Sequence, residues 1–127
     1  MIVLDASAAV AALLNAGESR KMVEQEQLHV PHLIDPEVAS ALRRRVLSGR
    51  LGESNGRAAL DVWSRLGMTR YPINAVLSRI WELRDNLSAY DASYVAVAEQ
   101  LGCSLVTADA RLGQAPGIRC TISVVPN

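Results

Sequence analysis

Four acidic residues of this chain do not follow the usual pattern of acids on the solvated faces of helices. Asp5 directly follows a short apolar run, and Asp109 lies two residues beyond a second apolar run. Glu37 and Asp91 fall in the first turns of two predicted helices, where the helix dipole favours negative charge. Taken singly, each residue has an ordinary structural explanation as a helix cap, a first-turn acid or a turn residue. Taken together, the four predict a cluster of carboxylates.

A carboxylate cluster of this kind is typical of a metal site. Carboxylates at close range repel one another, and they all stay ionised only if a cation compensates their charge. Oxygen ligands without nearby His or Cys favour Mg²⁺ or Mn²⁺ over zinc. The chain has 13 basic and 13 acidic residues, so a pocket that uses four acids leaves the remaining surface basic. An acidic metal pocket with a basic rim suits an enzyme that acts on a polyanion.

The elements that must position these acids follow from the hydrophobic pattern. Apolar runs predict strands over 2–4, 28–30, 68–71, 104–107 and 121–125, and helical spacing predicts helices over 6–15, 18–27, 35–48, 53–66, 74–87 and 90–101. Strands separated by helices predict a three-layer α/β fold, with a mostly parallel central sheet of four to five short strands flanked by helices. Ligands of such sheets bind beyond the carboxyl ends of the strands, where Asp5 and Asp109 lie.

Length and composition limit how the chain is organised. Its 127 residues suffice for a single domain, and a hydrophobic content of 50% excludes intrinsic disorder. Equal numbers of basic and acidic residues argue against a protein that simply coats nucleic acid. The opening segment lacks the basic start of a signal peptide, and the apolar run 8–14 is far shorter than the roughly 20 residues that span a bilayer. We therefore expect a cytoplasmic protein with no membrane segment.

Three segments carry a resemblance to a known family. MIVLDASAAVAALL, PEVASALRR and YDASYVAVAEQLGCSLVTADARL resemble successive motifs of the PIN-domain ribonucleases, in particular the VapC-type toxins of bacterial toxin–antitoxin pairs. The resemblance covers nearly the whole chain and implies one PIN domain over residues 1–127. It also implies an endoribonuclease that depends on Mg²⁺, with Mn²⁺ as a possible substitute, and that hydrolyses RNA phosphodiester bonds.

The resemblance further implies roles for particular residues. The catalytic and metal-binding set is Asp5, Glu37, Asp91 and Asp109, and the supporting hydroxyl groups are those of Ser7 and Thr107. We expect the three aspartates to hold a first Mg²⁺, and Glu37 to help hold a second ion or to orient the attacking water. Hydrogen bonds from the two hydroxyl groups would fix the carboxylates in orientation. Ser40 stands where many family members have Asn, so no role of that amide is carried over.

Binding partners are predicted less directly. Arg44 lies seven residues after Glu37 on the same helix face, and we expect Arg43 and Arg44 to contact RNA phosphates, although a solvated helix side explains them equally well. The resemblance implies a small antitoxin and pairing with a second copy of the chain. The second to fourth helices carry apolar positions that we expect to be partly exposed as a groove: Met22, Val23, Val46, Leu47, Leu60 and Trp63. The apolar helix 74–87, whose spacing places Trp81 on its inner side, could supply a two-fold interface.

Two other functions fit parts of the pattern. A phosphoacceptor receiver domain is also a small α/β fold with clustered acids, but its chemistry needs a lysine after a later strand. The only lysine here is Lys21, in an early polar helix. A catalytically inactive PIN-fold module that only binds a partner would keep the same fold. Cleavage of RNA with and without Mg²⁺ separates the three functions.

Overall fold

Five short strands and six α-helices make up the chain, and the computed structural model describes residues 1–127. The strands are β1 (Ile2–Leu4), β2 (Leu28–Pro31), β3 (Thr69–Tyr71), β4 (Ser104–Thr107) and β5 (Ile122–Val124). The helices are α1 (Ala6–Leu14), α2 (Glu18–Gln25), α3 (Ile34–Leu47), α4 (Glu53–Arg65), α5 (Leu77–Glu82) and α6 (Ala89–Leu101). Short 3₁₀ turns cover Asn74–Val76 and Leu112–Gln114. None of the helices has both the length and the apolar character needed to cross a membrane.

The strands form one parallel sheet in the order β3-β2-β1-β4-β5. The chain moves from β1 to β3 towards one edge and then returns to β4 on the other side of β1. Because such crossovers are right-handed, α1–α4 cover one face of the sheet and α5–α6 cover the opposite face. Helix α1 accordingly packs against α2, α3 and α4, while α5 packs against α6. The predicted three-layer α/β fold is confirmed, and its sheet has five strands.

This strand order creates a switch point between β1 and β4. The chain leaves β1 towards β2 on one side and leaves β4 towards β5 on the other, so the two connections diverge. A crevice opens beyond the carboxyl ends of two neighbouring strands where their connections diverge, and ligands of open α/β sheets bind there. Asp5 and Asp109 follow these two strands.

The hydrophobic core holds the switch point in place. A single cluster of 26 buried residues includes the interior of β1 and β4, and Val3, Leu4 and Leu105 have no exposed surface. Strands buried on both faces need continuous apolar sequence, which explains the runs IVL and SLVT. Helix α6 is buried from Ala92 to Ala98, and its small alanines let its backbone approach the sheet closely. The site residues at the strand ends therefore rest on a well-packed support.

The predicted fifth helix is much shorter in the structure. A helix over 74–87 with Trp81 on its inner side was expected, but α5 has only six residues, and Trp81 is 68% exposed. The apolar residues of this segment lie on two faces, and only the face with Ile80 and Leu83 is buried. The guanidinium of Arg84 stacks over the exposed Trp81 ring at 4.8 Å. The prediction of an inward Trp81 is therefore wrong, and α5 presents an apolar outer side.

The apolar residues of α2, α3 and α4 are exposed only in part. Leu47 and Leu60 are exposed, as predicted, at 68% and 37%. Trp63 is only 2% exposed, so the prediction that it belongs to an open groove is wrong. Its indole Nε1 donates a hydrogen bond of 2.8 Å to Asp35 Oδ1, which satisfies the buried N–H. Trp63 is thus a core residue that ties α4 to the start of α3.

Candidate active site

Asp5 is fixed at the carboxyl end of β1 by three donors. It caps the N-terminus of α1, where Oδ1 accepts hydrogen bonds from the backbone N–H of Ala8 at 3.0 Å and from Ser7 Oγ at 2.6 Å. Thr107 Oγ1 donates to the other oxygen, Oδ2, at 2.5 Å. The residue is only 6% exposed. Capping of α1 uses only one of these three hydrogen bonds, so the capping role alone does not explain how Asp5 is held.

The same two hydroxyl groups connect the ends of β1 and β4. Ser7 Oγ accepts a hydrogen bond of 2.9 Å from the backbone N–H of Ala108, and Thr107 Oγ1 accepts one of 3.0 Å from the backbone N–H of Asp109. Each hydroxyl group thus bonds both to Asp5 and to the turn that follows β4. The structure brings Ser7 and Thr107 together with Asp5, and their role in catalysis stays a prediction.

Glu37 and Asp91 reach the site from helices on opposite faces of the sheet. Asp91 lies in the first turn of α6, where its backbone N–H donates to the capping Ser88 Oγ at 3.1 Å. Glu37 lies in the first turn of α3, and Tyr94 Oη donates to its Oε1 at 2.5 Å. Tyr94 is 2% exposed, three residues after Asp91 on α6. This hydrogen bond therefore joins α6, which carries Asp91, to α3, which carries Glu37.

The acids influence one another electrostatically. Burial raises the pKa of Asp5, Glu37 and Asp91 above their ordinary values, and neighbouring acids raise each of them further. The charge of Asp109 acts on Asp5 and Asp91, and the charge of Asp5 acts on Glu37 and Asp91. The predicted acids are thus brought within electrostatic reach of one another, with too little positive charge among them to offset their repulsion.

Asp109 differs from the other three acids because Arg111 pairs with it. Arg111 donates to Asp109 Oδ1 from its backbone N–H at 3.0 Å and from Nε at 3.1 Å, and to Oδ2 from Nη2 at 3.1 Å. These bonds hold the pKa of Asp109 below its usual range. The Arg111 side chain is 92% exposed, so solvent screens the pair and its net stabilisation is small. Another cation could therefore displace Arg111 from Asp109.

A cleft of about 440 Å³ opens beside Glu37, which is the one acid of the four that lines it. Ser7 and Glu37 line it, together with Ser40, which occupies the position where many family members have Asn. Arg44 lies in the same cleft, where its Nη1 donates to Ser40 Oγ at 3.2 Å. The charge of Arg44 also lowers the pKa of Glu37, against the larger effect of burial. Arg43 is exposed but does not line the cleft.

Comparison with known proteins assigns the chain to a family. The model of the PIN domain matches residues 2–118. Ribonuclease VapC9 of Mycobacterium tuberculosis is 60% identical over 126 residues, which cover 99% of each chain. This chain belongs to the PIN-domain family of VapC ribonucleases. The resemblance noted in the sequence is thereby confirmed, and family membership excludes the receiver domain.

Solved structures of similar proteins agree with this assignment. The VapC-type chain matches the crystal structure of PAE2754 from Pyrobaculum aerophilum with a TM-score of 0.71 and 31% identity, over 97% of this chain and 83% of the other. It also matches a chain of a toxin–antitoxin complex from Klebsiella pneumoniae with a TM-score of 0.68 and 17% identity, over the full length of both. The second match concerns the fold alone.

The donor set of this VapC-type site fits the oxygen preference of Mg²⁺. All four candidate ligands are carboxylates, and burial and mutual repulsion raise the pKa of three of them. No three His, Cys, Asp or Glu side chains form a ready-made cage for a metal ion. Mg²⁺ does not need one, because it usually keeps several waters and is held by one or two protein carboxylates.

Tyr94 is the site residue that the sequence analysis missed. The sequence around Tyr94 gives no sign of this contact, because the partner of its hydroxyl group lies 57 positions away. The available signal was its place three residues after Asp91, on the same face of α6. The hydrogen bond from Tyr94 occupies Oε1 of Glu37 and leaves Oε2 free for a ligand or a water.

Tyr94→Phe is expected to raise the pKa of Glu37 further. The hydrogen bond from Tyr94 lowers that pKa by favouring the ionised carboxyl, and Phe removes the hydroxyl group while keeping the buried ring. A pH titration of the Glu37 side-chain carboxyl by carbon NMR measures the change. An unchanged or lower pKa would show that Tyr94 does not act on Glu37.

Proposed function

We propose that this chain is a Mg²⁺-dependent endoribonuclease and the toxin of a toxin–antitoxin pair. The observation that carries the proposal is the convergence of Asp5, Asp91, Asp109 and Glu37 beyond the carboxyl ends of β1 and β4 in a VapC-type chain. Structural acids that only cap helices have no reason to meet at one switch point. Burial, and to a lesser extent the repulsion between the acids, raises the pKa of Asp5, Glu37 and Asp91, so their ionised forms cost free energy that a bound cation would offset.

Each acidic side chain of the site, and each of the two hydroxyl groups, has a task in the proposed mechanism. When bound, Mg²⁺ or Mn²⁺ supplies positive charge for the phosphate oxygens and promotes ionisation of a bound water. The carboxylates that would hold the ion are Asp5, Asp91 and Asp109, with Ser7 and Thr107 fixing the orientation of Asp5. Glu37 uses Oε2 to orient the water that attacks phosphorus, or helps to hold a second ion. Its raised pKa makes it a stronger base than an ordinary glutamate.

RNA phosphodiester bonds are the proposed substrate. The cleft beside Glu37 contains Arg44, whose guanidinium can meet a phosphate next to the reacting one. Arg43 lies on the same helix outside the cleft, so any contact with RNA there is peripheral. We place the protein in the cytoplasm, where such a substrate is found.

A small antitoxin is the proposed protein partner. The Klebsiella pneumoniae structure that shares this fold is a toxin–antitoxin complex. In the present chain, Leu47, Leu60 and Val62 are exposed on α3 and α4, at 68%, 37% and 48%. An amphipathic helix can cover such residues, and a basic side chain beside it would meet the acidic site. The antitoxin would thereby block the site.

A homodimer is the second proposed assembly. The outer side of α5 exposes Leu77 and Trp81, at 53% and 68%, although both are large apolar residues. Pairing of this side with the same side of a second copy would form a two-fold interface and remove both residues from water. Light scattering of the purified chain measures the expected mass, and Trp81→Ser should shift it towards the monomer. A monomeric wild-type chain would contradict the dimer.

The proposed activity is tested by metal removal. The purified chain, freed of metal with EDTA, is incubated with single-stranded RNA and then supplied with Mg²⁺, Mn²⁺ or Zn²⁺. We expect internal cleavage with Mg²⁺, partial replacement by Mn²⁺, and no cleavage in EDTA. RNA binding without cleavage under every condition would instead identify the chain as an inactive PIN-fold module.

A further inference from the structure

The cleft beside the acidic site extends well beyond the reacting residues. Ser7 and Glu37 lie at one end, and Arg45, Ser48 and Arg50 line it further along. On α3 the spacing from Glu37 to Arg45 is eight residues, about 12 Å at 1.5 Å per residue. The cleft is therefore longer than the space that one phosphodiester needs.

The end of α3 brings Arg50 back to this cleft. Gly49 adopts a φ of 78°, in the left-handed region that favours glycine, and its N–H donates to the Val46 carbonyl at 3.1 Å. The N–H of Arg50 then donates to the Arg45 carbonyl at 2.9 Å. This helix-ending turn sets Arg50 beside Arg45, although the two lie five positions apart in sequence.

The arginines of the cleft carry uncompensated charge. Arg44, Arg45 and Arg50 form no ion pair, whereas Arg70, Arg79 and Arg111 each pair with a carboxylate. The only side-chain hydrogen bond within the group runs from Arg44 to the neutral Ser40. Unpaired guanidinium groups gathered along one cleft favour a ligand with repeated negative charge.

The remaining lining of the cleft shows how such a ligand is recognised. The side chains of Ser40, Ser48 and Asn127 add neutral donors, and the apolar residues are only alanines and Val10. No aromatic side chain lines the cleft, so it offers no aromatic platform on which bases could stack. The lining therefore favours recognition of the phosphates and riboses over recognition of the base sequence.

We propose that this cleft is a backbone-binding subsite for single-stranded RNA, in which Arg44, Arg45 and Arg50 hold successive phosphates next to the scissile one. This inference rests on the proposed function, because it takes RNA as the substrate. In this proposal the cleft contributes affinity for RNA, and other surfaces determine which sequence is cleaved. Arg45 and Arg50 act only on binding, since neither pairs with an acidic residue of the site.

Binding and cleavage are measured for Arg45→Ala, Arg50→Ala and the double variant. Binding is followed by fluorescence anisotropy in EDTA over a range of salt concentrations, with labelled poly(U) and poly(A). Each substitution is expected to raise the Kd about five-fold. Each should also reduce the slope of log K against log salt by about 0.7, as expected for one lost single-strand phosphate contact. Cleavage in Mg²⁺ should show a raised KM and an unchanged kcat.

Arg119→Ala is the matched control. Arg119 is exposed, forms no ion pair and precedes β5, so it lies at the amino ends of the parallel strands, whereas the acids lie at the carboxyl ends. Arg119→Ala removes the same charge at a position outside the cleft, so the salt slope and the KM of this variant should stay close to the wild-type values. Because Arg45 is half-buried, thermal unfolding checks each variant, and Arg50→Ala alone preserves the test if Arg45→Ala does not fold.

The proposal is overturned if the double variant behaves like Arg119→Ala, or if kcat falls while KM and Kd stay unchanged. A loss of affinity that differs between poly(U) and poly(A) overturns the backbone-only assignment. These outcomes are separate from failure of the proposed function, in which the wild-type chain cleaves no RNA in any metal while its binding to RNA still responds to the substitutions.

Discussion

Asp91→Asn is expected to lower the rate of RNA cleavage by about a thousand-fold or more, because it removes a charge from the proposed metal site. The same change should not harm the fold. Burial and the charges of Asp5 and Asp109 raise the pKa of Asp91, so its ionised form costs free energy in the native state. Asn has nearly the same shape and no charge, and it should stabilise the metal-free chain at neutral pH by up to about 1 kcal/mol after solvent screening.

The size of this stability change depends on pH. A carboxyl whose pKa is raised on folding contributes stability below its unfolded pKa and loses that contribution as pH rises through the folded value. The advantage of Asn should therefore be present at neutral pH and disappear in acid. Cleavage assays in Mg²⁺ and urea unfolding in EDTA at two pH values measure both effects. Asp85→Asn, at an exposed position between α5 and α6, is the control. Wild-type cleavage by Asp91→Asn would remove this residue from the site.

Thr107→Val is expected to reduce cleavage about 10- to 100-fold by loosening Asp5, the usual scale for residues that orient a metal ligand. Thr107 is fully buried, and Val has nearly the same volume without the hydroxyl group. The substitution removes the hydrogen bond to Asp5 Oδ2 and leaves the N–H of Asp109 without its acceptor. Unpaired buried polar groups should also cost about 1–3 kcal/mol of stability.

The pH dependence separates orientation from simple destabilisation. The bond from Thr107 lowers the pKa of Asp5, so Thr107→Val should raise that pKa further. Because the proposed chemistry needs ionised Asp5, the acid limb of the pH–rate profile should move to higher pH. Thr107→Ser restores the hydroxyl group and should recover most of the activity. A Val variant with wild-type rate and profile would show that Thr107 has only a packing role.

Much of the fold could be predicted because it depends on local pattern. The apolar runs before Asp5 and Asp109 identify buried parallel strands, and the topology of such sheets places their carboxyl ends at one edge. The first turns of α3 and α6 were equally visible from helical spacing. The convergence of the four acids therefore followed from the sequence, while their catalytic role stays a prediction.

The features that could not be predicted depend on distant contacts or on single rotamers. The hydroxyl group of Tyr94 finds Glu37 across two helices, and no local pattern encodes that contact. Trp81 has the spacing of a core residue, but α5 is short and only its other face is covered. Arg50 enters the cleft because Gly49 reverses the chain there, which spacing along α3 does not show.

A crystal structure of the chain soaked with Mn²⁺ tests the central claim most directly, because the anomalous signal of manganese locates the ion without assumptions about activity. We expect a manganese peak among the carboxylates of Asp5, Asp91 and Asp109, with the Arg111 side chain displaced from Asp109. The peak should be absent from crystals of Asp91→Asn prepared in the same way. A wild-type crystal with no peak at these carboxylates, or with manganese bound only elsewhere on the chain, would contradict the assignment of this site.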